Sequence, residues 1–192
     1  MYKLINSGFH LVFDFRVLVF RPKVANALEM PFEDDSFDLA WSLESGEHMP
    51  DKQKFVNELF RVTKPGGRVI VVTWCHRDLG EGETSLTKKE LRLLRRINRA
   101  YYLPQWCSVQ DYIDLFTQQG AKDIKRDDWS DFIAPFWKAV IQSSLNFRST
   151  IGLLRSGFAT QRGAYAMFLM LQGFRMGLIK FGLITATKPV KE

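Results

Sequence analysis

Residues 37 to 74 constrain this chain more than any other stretch. "FDLAWSLE" (37–44) is an apolar, strand-forming run, and "DKQKFVNELFRVT" (51–63) sets Phe55, Leu59 and Val62 on one helical face with Val56 and Phe60 beside them. That spacing predicts an amphipathic helix. "KPGG" (64–67) supplies a stop, and "RVIVVTW" (68–74) has the composition of a strand buried on both faces. Strand, polar loop, helix, turn and strand make a βαβ unit, which implies two parallel neighbours joined by a right-handed crossover. In such sheets ligands sit beyond the carboxyl ends of the strands. "WSLESGEHMP" (41–50) lies at one of those ends and places Glu44, Glu47 and His48 within five positions. A pocket is expected there.

The rest of the chain arranges itself around this unit. "LVFDFRVLVF" (11–20) alternates like a strand and stops at Arg21-Pro22, "KVANAL" (23–28) is a second short strand, and "PFEDDSFD" (31–38) is a turn. Residues 86–118 read as helical, 120–129 as a turn and a strand, 132–177 as mostly helical with glycine interruptions, and "LIKFGLITATKP" (178–189) as a closing strand. With no repeat, low-complexity tract or linker, the expectation is one α/β domain with a helical insertion. Strands 37–43 and 68–74 should be parallel neighbours.

Composition removes several function classes. The 192 residues are 46% hydrophobic and include sixteen Phe, enough for a real core. The net charge of +6 is dispersed, and its densest group, "KKELRLLRR" (88–96), has the spacing of a solvated helix face. No aromatic-rich RNA-binding signature accompanies it, so nucleic acid is not an expected partner. Cys75 and Cys107 lack metal-ligand spacing, and His76 beside Cys75 would point to the opposite face of a strand, so no metal is expected. Residues 9–20 look like the apolar part of an export signal, but Asp14 and Arg16 interrupt them and no cleavage site follows. Residues 163–186 are apolar yet contain Gln172, Arg175 and Lys180, which argues for a helix docked on the fold followed by a strand, not a membrane span.

The string "ALEMPFEDDSFDLAWSLESGEHMPDKQKFVNELFRVTKPGGRVIVVTWCHRDL" (27–79) resembles the downstream half of a class I, S-adenosylmethionine-dependent methyltransferase. "ESGEHMPDK", "VTWCHRDL", "YYLPQWCS" (101–108), "DWS" (128–130) and "APFW" (134–137) narrow the resemblance to plant γ-tocopherol C-methyltransferases and the related monoterpene indole alkaloid N-methyltransferases. The resemblance implies a Rossmann-like α/β fold, N-terminally incomplete, with a helical cap insertion and with 178–187 antiparallel beside 68–74. Without the strands that normally cover it, 37–43 should be an exposed edge unless residues 11–20 pair with it. Residues 1–22 stand outside it, and 23–192 form the methyltransferase domain with the cap within about 86–177. The departure lies in the expected glycine-rich loop and acidic ribose ligand, for which no Gly-x-Gly precedes the match. Two βα units, on the order of sixty residues, would carry them.

The resemblance also assigns roles. Ala25 to Leu28 would cup the adenine, with Asn26, Ala27 and Leu28 as cofactor contacts; Asn26 stands where the family often has Asp, and alone it reads as a turn residue. Trp41, Ser42 and Leu43 would end the strand below the cofactor, although Trp41 by itself reads as core. Glu47 and His48 are the catalytic candidates. Methyl transfer from a sulfonium is an in-line displacement governed by positioning, and methylation of a phenolic ring benefits from a base that takes the phenol proton. Their bland alternative is capping of the 51–63 helix, and Glu44 reads as a cap or ion-pair partner. His76, Trp106 and Trp137 fall on the substrate side, where the aromatic segments and the Met/Phe-rich 165–176 stretch would form an apolar lid suited to a lipophilic acceptor. The implied function is methyl transfer from S-adenosylmethionine to a tocopherol-like phenol or an alkaloid nitrogen. Its rival is a catalytically silent, truncated isoform acting as a binding or interaction protein. Expected partners are a small lipophilic substrate and no nucleic acid, with no transmembrane helix; peripheral membrane contact and self-association stay open. The compartment would be the chloroplast for tocopherol-type relatives and the cytoplasm or vacuole for alkaloid-type ones; the chain shows no convincing targeting segment.

Overall fold

The computed structural model describes residues 9–12, 22–133, 135, 136, 139 and 158–190. Its elements are β1 (Phe9–Val12), β2 (Lys23–Asn26), β3 (Phe37–Leu43), a 3-10 turn (Gly46–His48), α1 (Lys52–Val62), β4 (Thr63–His76), α2 (Lys88–Tyr101), α3 (Val109–Gln118), β5 (Lys122–Asp128), α4 (Phe158–Arg175) and β6 (Ile179–Thr187). Four strands form a sheet in the order β3-β4-β6-β5, and β1 and β2 form a separate antiparallel pair. β3 and β4 are parallel, with Ala40 opposite Val69 and Ser42 opposite Val71, as the βαβ pattern predicts. Backbone bonds at both ends, Lys188 to Gly67 and Arg77 to Leu178, make β6 antiparallel to β4. The chain clusters into two compact units, one of residues 1–73, 110–126 and 183–192, the other of 74–109 and 127–182.

In the first unit α1 is built as its sequence demands. Asp51 caps it by accepting from the Lys54 amide at 2.8 Å, and Phe55, Val56, Leu59, Phe60 and Val62 are all buried. Phe60 meets Phe116 of α3 edge-on at 5.1 Å between ring centroids. The "KPGG" segment does not simply end the helix: β4 already begins at Thr63. It forms a bulge, in which Phe37 pairs with Thr63 but Leu39 pairs with Arg68. Gly66 has φ +77°, and a Cβ on Gly67 would stand 2.8 Å from the Lys64 carbonyl oxygen and 2.9 Å from that of Asp38. Only glycine passes there.

One expectation about β3 needs correction. Its apolar composition reads as a buried strand, and Trp41 as core. Ala40 and Ser42 are indeed buried, but Leu39, Trp41 and Leu43 on the opposite face are 42%, 58% and 53% exposed. Period-two alternation puts these three on one face, and among the described residues nothing covers it. β3 has β4 along one edge only. Residues 11 and 12 pair with β2 instead; residues 13–20 lie outside the described part.

In the second unit the expected helical stretch 86–118 is broken. α2 ends where Tyr102 enters the left-handed region at φ 57°, and Pro104 precludes an immediate restart. α2 starts with a capping box, Thr87 with Glu90, and buries Leu93, Leu94 and Ile97, while α4 buries Ala166, Leu169 and Met170. Trp74 packs on Phe174 and Phe181 at 5.8 and 4.4 Å between centroids. The reading of 163–186 as a docked helix followed by a strand matches α4 and β6. Among the described residues no helix is long and apolar enough to cross a membrane.

Candidate active site at the end of strand β3

β3 runs out at Leu43, and Glu44 turns the chain with φ 49° while its amide donates to the Val72 carbonyl at 2.8 Å. The next residues form one tight turn over the end of β4. Ser42 and Ser45, both buried, share a hydroxyl–hydroxyl hydrogen bond across the bend. Gly46 must be glycine: a Cβ there would lie 2.6 Å from the Tyr112 hydroxyl and 2.8 Å from Thr73 Oγ1. Two hydroxyls, from α3 and β4, occupy the space a side chain would need.

That crowding sets the geometry of Glu47. Its side chain turns inward, the residue is 3% exposed, and Oε2 accepts from Thr73 Oγ1 at 2.5 Å. Oε1 lies 3.7 Å from His48 Nε2. A carboxyl group is tolerated at such depth only with donors arranged around it, and the strand end supplies one. His48 is half-buried. Partial burial, then the Lys52 ammonium, pushes its imidazole below the usual histidine range. That shift favours the neutral imidazole. Loss of solvent around Glu44, then the Glu47 carboxylate, raises the Glu44 carboxyl.

The capping alternative is not realised, because Asp51 caps α1. Lys52 instead closes the loop, donating to the carbonyls of Met49 at 2.5 Å and Glu47 at 3.4 Å. Asn26 is exposed and its Oδ1 accepts from the Leu28 amide at 3.0 Å, so it does act as a turn residue. Ala27 is buried and Leu28 half-buried. The loop after this turn is tied to α1: Glu58 accepts from the Met30 amide at 2.7 Å, and Arg61 donates to the carbonyls of Met30 and Phe32 and to Asp34.

Asn26 to Leu28, Trp41 to Leu43, Glu47 and His48 all belong to the first unit. His76 and Trp106 belong to the second unit. His76 is half-buried with Nδ1 2.8 Å from the Arg77 carbonyl oxygen. Trp106 is buried, and its indole N–H has no hydrogen-bond partner among the described residues. Trp137 lies outside the described residues. Sequence reasoning missed Thr73 and Tyr112. The first left a trace, a lone hydroxyl at the carboxyl end of an apolar strand; the second left none, since its approach to Gly46 depends on how α3 packs.

The methyltransferase domain family matches residues 12–71, a span that contains Glu47 and His48. Tocopherol O-methyltransferase, chloroplastic, from Arabidopsis thaliana is 54% identical over 168 residues, covering 88% of this chain and 48% of the relative. Norajmaline N-methyltransferase from Rauvolfia serpentina is 32% identical over 166 residues, covering 86% and 57%. In structure, a putative sarcosine dimethylglycine methyltransferase from Galdieria sulphuraria superposes with a TM-score of 0.71 at 23% identity, covering 88% of this chain and 58% of its own. The chain spans about half the length of the curated relatives it matches.

Proposed function

We propose, for a chain that belongs to the class I S-adenosylmethionine-dependent methyltransferases, that the protein it represents transfers a methyl group to a lipophilic phenol. The observation that carries this reading is the buried Glu47 carboxyl, anchored by Thr73 beside His48 at the end of β3. S-adenosylmethionine, when bound, supplies an electrophilic methyl group on a sulfonium. One side of that molecule has candidate contacts: the 25–28 turn, of which Asn26 is exposed, would take the adenine, and Trp41 and Leu43 offer an apolar surface at the strand end. The glycine loop and ribose acid that complete such a site are not found in this sequence.

His48 accepts the phenol proton, and the Glu47 carboxylate near Nε2 offsets the positive charge the imidazole gains. Thr73 fixes the carboxylate so that this compensation is in place before the proton moves. The phenol is preferred over an alkaloid nitrogen because similarity to the tocopherol enzyme, at 54%, far exceeds that to the norajmaline enzyme, at 32%. The chloroplastic designation of the tocopherol relative supports a plastid location. The test is a labelled-methyl assay at millimolar S-adenosylmethionine, offering a chromanol phenol and an indoline amine in parallel. Methylated phenol is the expected product. Methylation of the amine alone would overturn the acceptor, and no transfer to either would overturn activity in this chain.

A further inference from the structure

Among the described residues five cations are held by carboxylates, and several others are not. Arg61 sits on Glu58 and Asp34, Arg77 on Glu83 and Glu90, Lys64 on Asp38, Lys180 on Asp128 and Lys188 on Asp35. Arg96, Arg99 and Arg162 have no carboxylate at ion-pair distance among the described residues, yet all three line one cavity of about 490 Å³ between α2 and α4, with Ala100, Gln161 and Tyr165.

The bonds these arginines do make go to neutral oxygens. Arg96 donates from Nε and Nη2 to the Tyr165 hydroxyl at 3.0 and 2.6 Å. Arg162 donates to the Ala100 carbonyl at 3.0 Å, to the Arg99 carbonyl and to the Tyr102 hydroxyl, and its guanidinium stacks on the Tyr102 ring at 3.5 Å. Arg162 therefore closes the carboxyl end of α2. The helix dipole accounts for part of this gathering, but it amounts to about half an elementary charge against three whole ones. Arg96 and Arg99, three apart on α2, sit roughly 5–6 Å from each other at Cβ, so their mutual repulsion is uncompensated.

We propose that this cavity binds a phosphate group, carried by a small anionic molecule or by a lipid headgroup. Guanidinium groups form charge-assisted hydrogen bonds to phosphate oxygens, and Arg96 and Arg99 present two of them on one side of α2 with the Arg162 charge beside them. The Tyr165 hydroxyl, already accepting from Arg96, keeps its proton to donate. The volume exceeds that of phosphate alone, and Ala100 with the Tyr165 ring gives the attached group an apolar wall.

The test uses the purified chain at low salt. Phenyl phosphate is titrated calorimetrically, and vesicles of phosphatidylcholine with or without phosphatidic acid are assayed by co-sedimentation. Arg96→Gln and Arg99→Gln should each weaken the binding by about tenfold, the loss of one charge-assisted pair. Arg92→Gln, exposed on the same helix but outside the cavity, should change it by less than about twofold. Thermal melts of all three confirm that they fold; Arg162 is left intact because it closes α2. Saturable phenyl phosphate binding assigns a soluble ligand, and binding confined to phosphatidic acid vesicles assigns a lipid. No binding in either arm, or an equal loss in Arg92→Gln, overturns the site.

Discussion

Glu47 and Thr73 form the best-defined pair in the candidate site, a carboxyl and a hydroxyl 2.5 Å apart with both residues buried. Thr73→Val keeps the shape and deletes the donor, so it should destabilise the chain by about 1–3 kcal/mol in urea denaturation, and Thr73→Ser should restore most of that. In a full-length version that carries the glycine loop and the ribose acid, changing Glu47 to Gln or His48 to Asn should lower turnover by about a hundredfold and leave cofactor affinity within about twofold, as expected of groups proposed to act where charge develops in the transition state. Wild-type turnover in both variants would leave them without a catalytic role. The acid limb of the rate profile should fall below the usual histidine value of about 6.5, since folded His48 is harder to protonate than a free imidazole. Stability follows the same sign: the unfolded chain takes up the His48 proton first, so lowering the pH through that window favours unfolding. Glu47 and His48 stand out as candidates in the sequence because so much acid–base chemistry is rare at a strand end. Thr73, Tyr112 and the exposure of Trp41 could not, since each depends on what packs, or does not pack, from elsewhere in the chain.

At the scale of elements, the apolar period of α1 and the β-branched run of β4 were sufficient to place both and to make β3 and β4 parallel. The antiparallel course of β6 came from the family resemblance, not from periodicity, which is blind to direction. The "KPGG" segment shows where local rules mislead. Pro-Gly-Gly reads as a helix stop, but α1 ends before it, and the two glycines instead let β4 bulge past β3 and receive Lys188. Gly67→Ala would drive a methyl group against two backbone carbonyl oxygens that cannot turn away. It should cost about 1–3 kcal/mol in thermal or urea denaturation. A near-neutral result would mean that the bulge relaxes at no cost, and the register shift would lose its explanation.

At the scale of the whole molecule, the face of Leu39, Trp41 and Leu43 on a strand that has, among the described residues, a neighbour on one edge only is a template for association. Sedimentation velocity should show concentration-dependent self-association that Trp41→Lys suppresses; a monodisperse monomer at high concentration would show that this face is covered. The same open side bears on the cofactor. The glycine loop and the ribose acid would contribute about three hydrogen bonds, at roughly 1.5 kcal/mol each, so a site without them gives up about 4.5 kcal/mol, or some three decades of affinity. A micromolar site becomes roughly millimolar, and the remaining turn and strand end are also less preorganised for the ligand. Calorimetric titration of the 192-residue chain with S-adenosylmethionine should therefore show weak binding or none. Micromolar affinity would mean that the residues ahead of β3 rebuild the missing half of the site, with the β1–β2 pair as the place to look, and the 25–28 turn would then be part of a complete pocket.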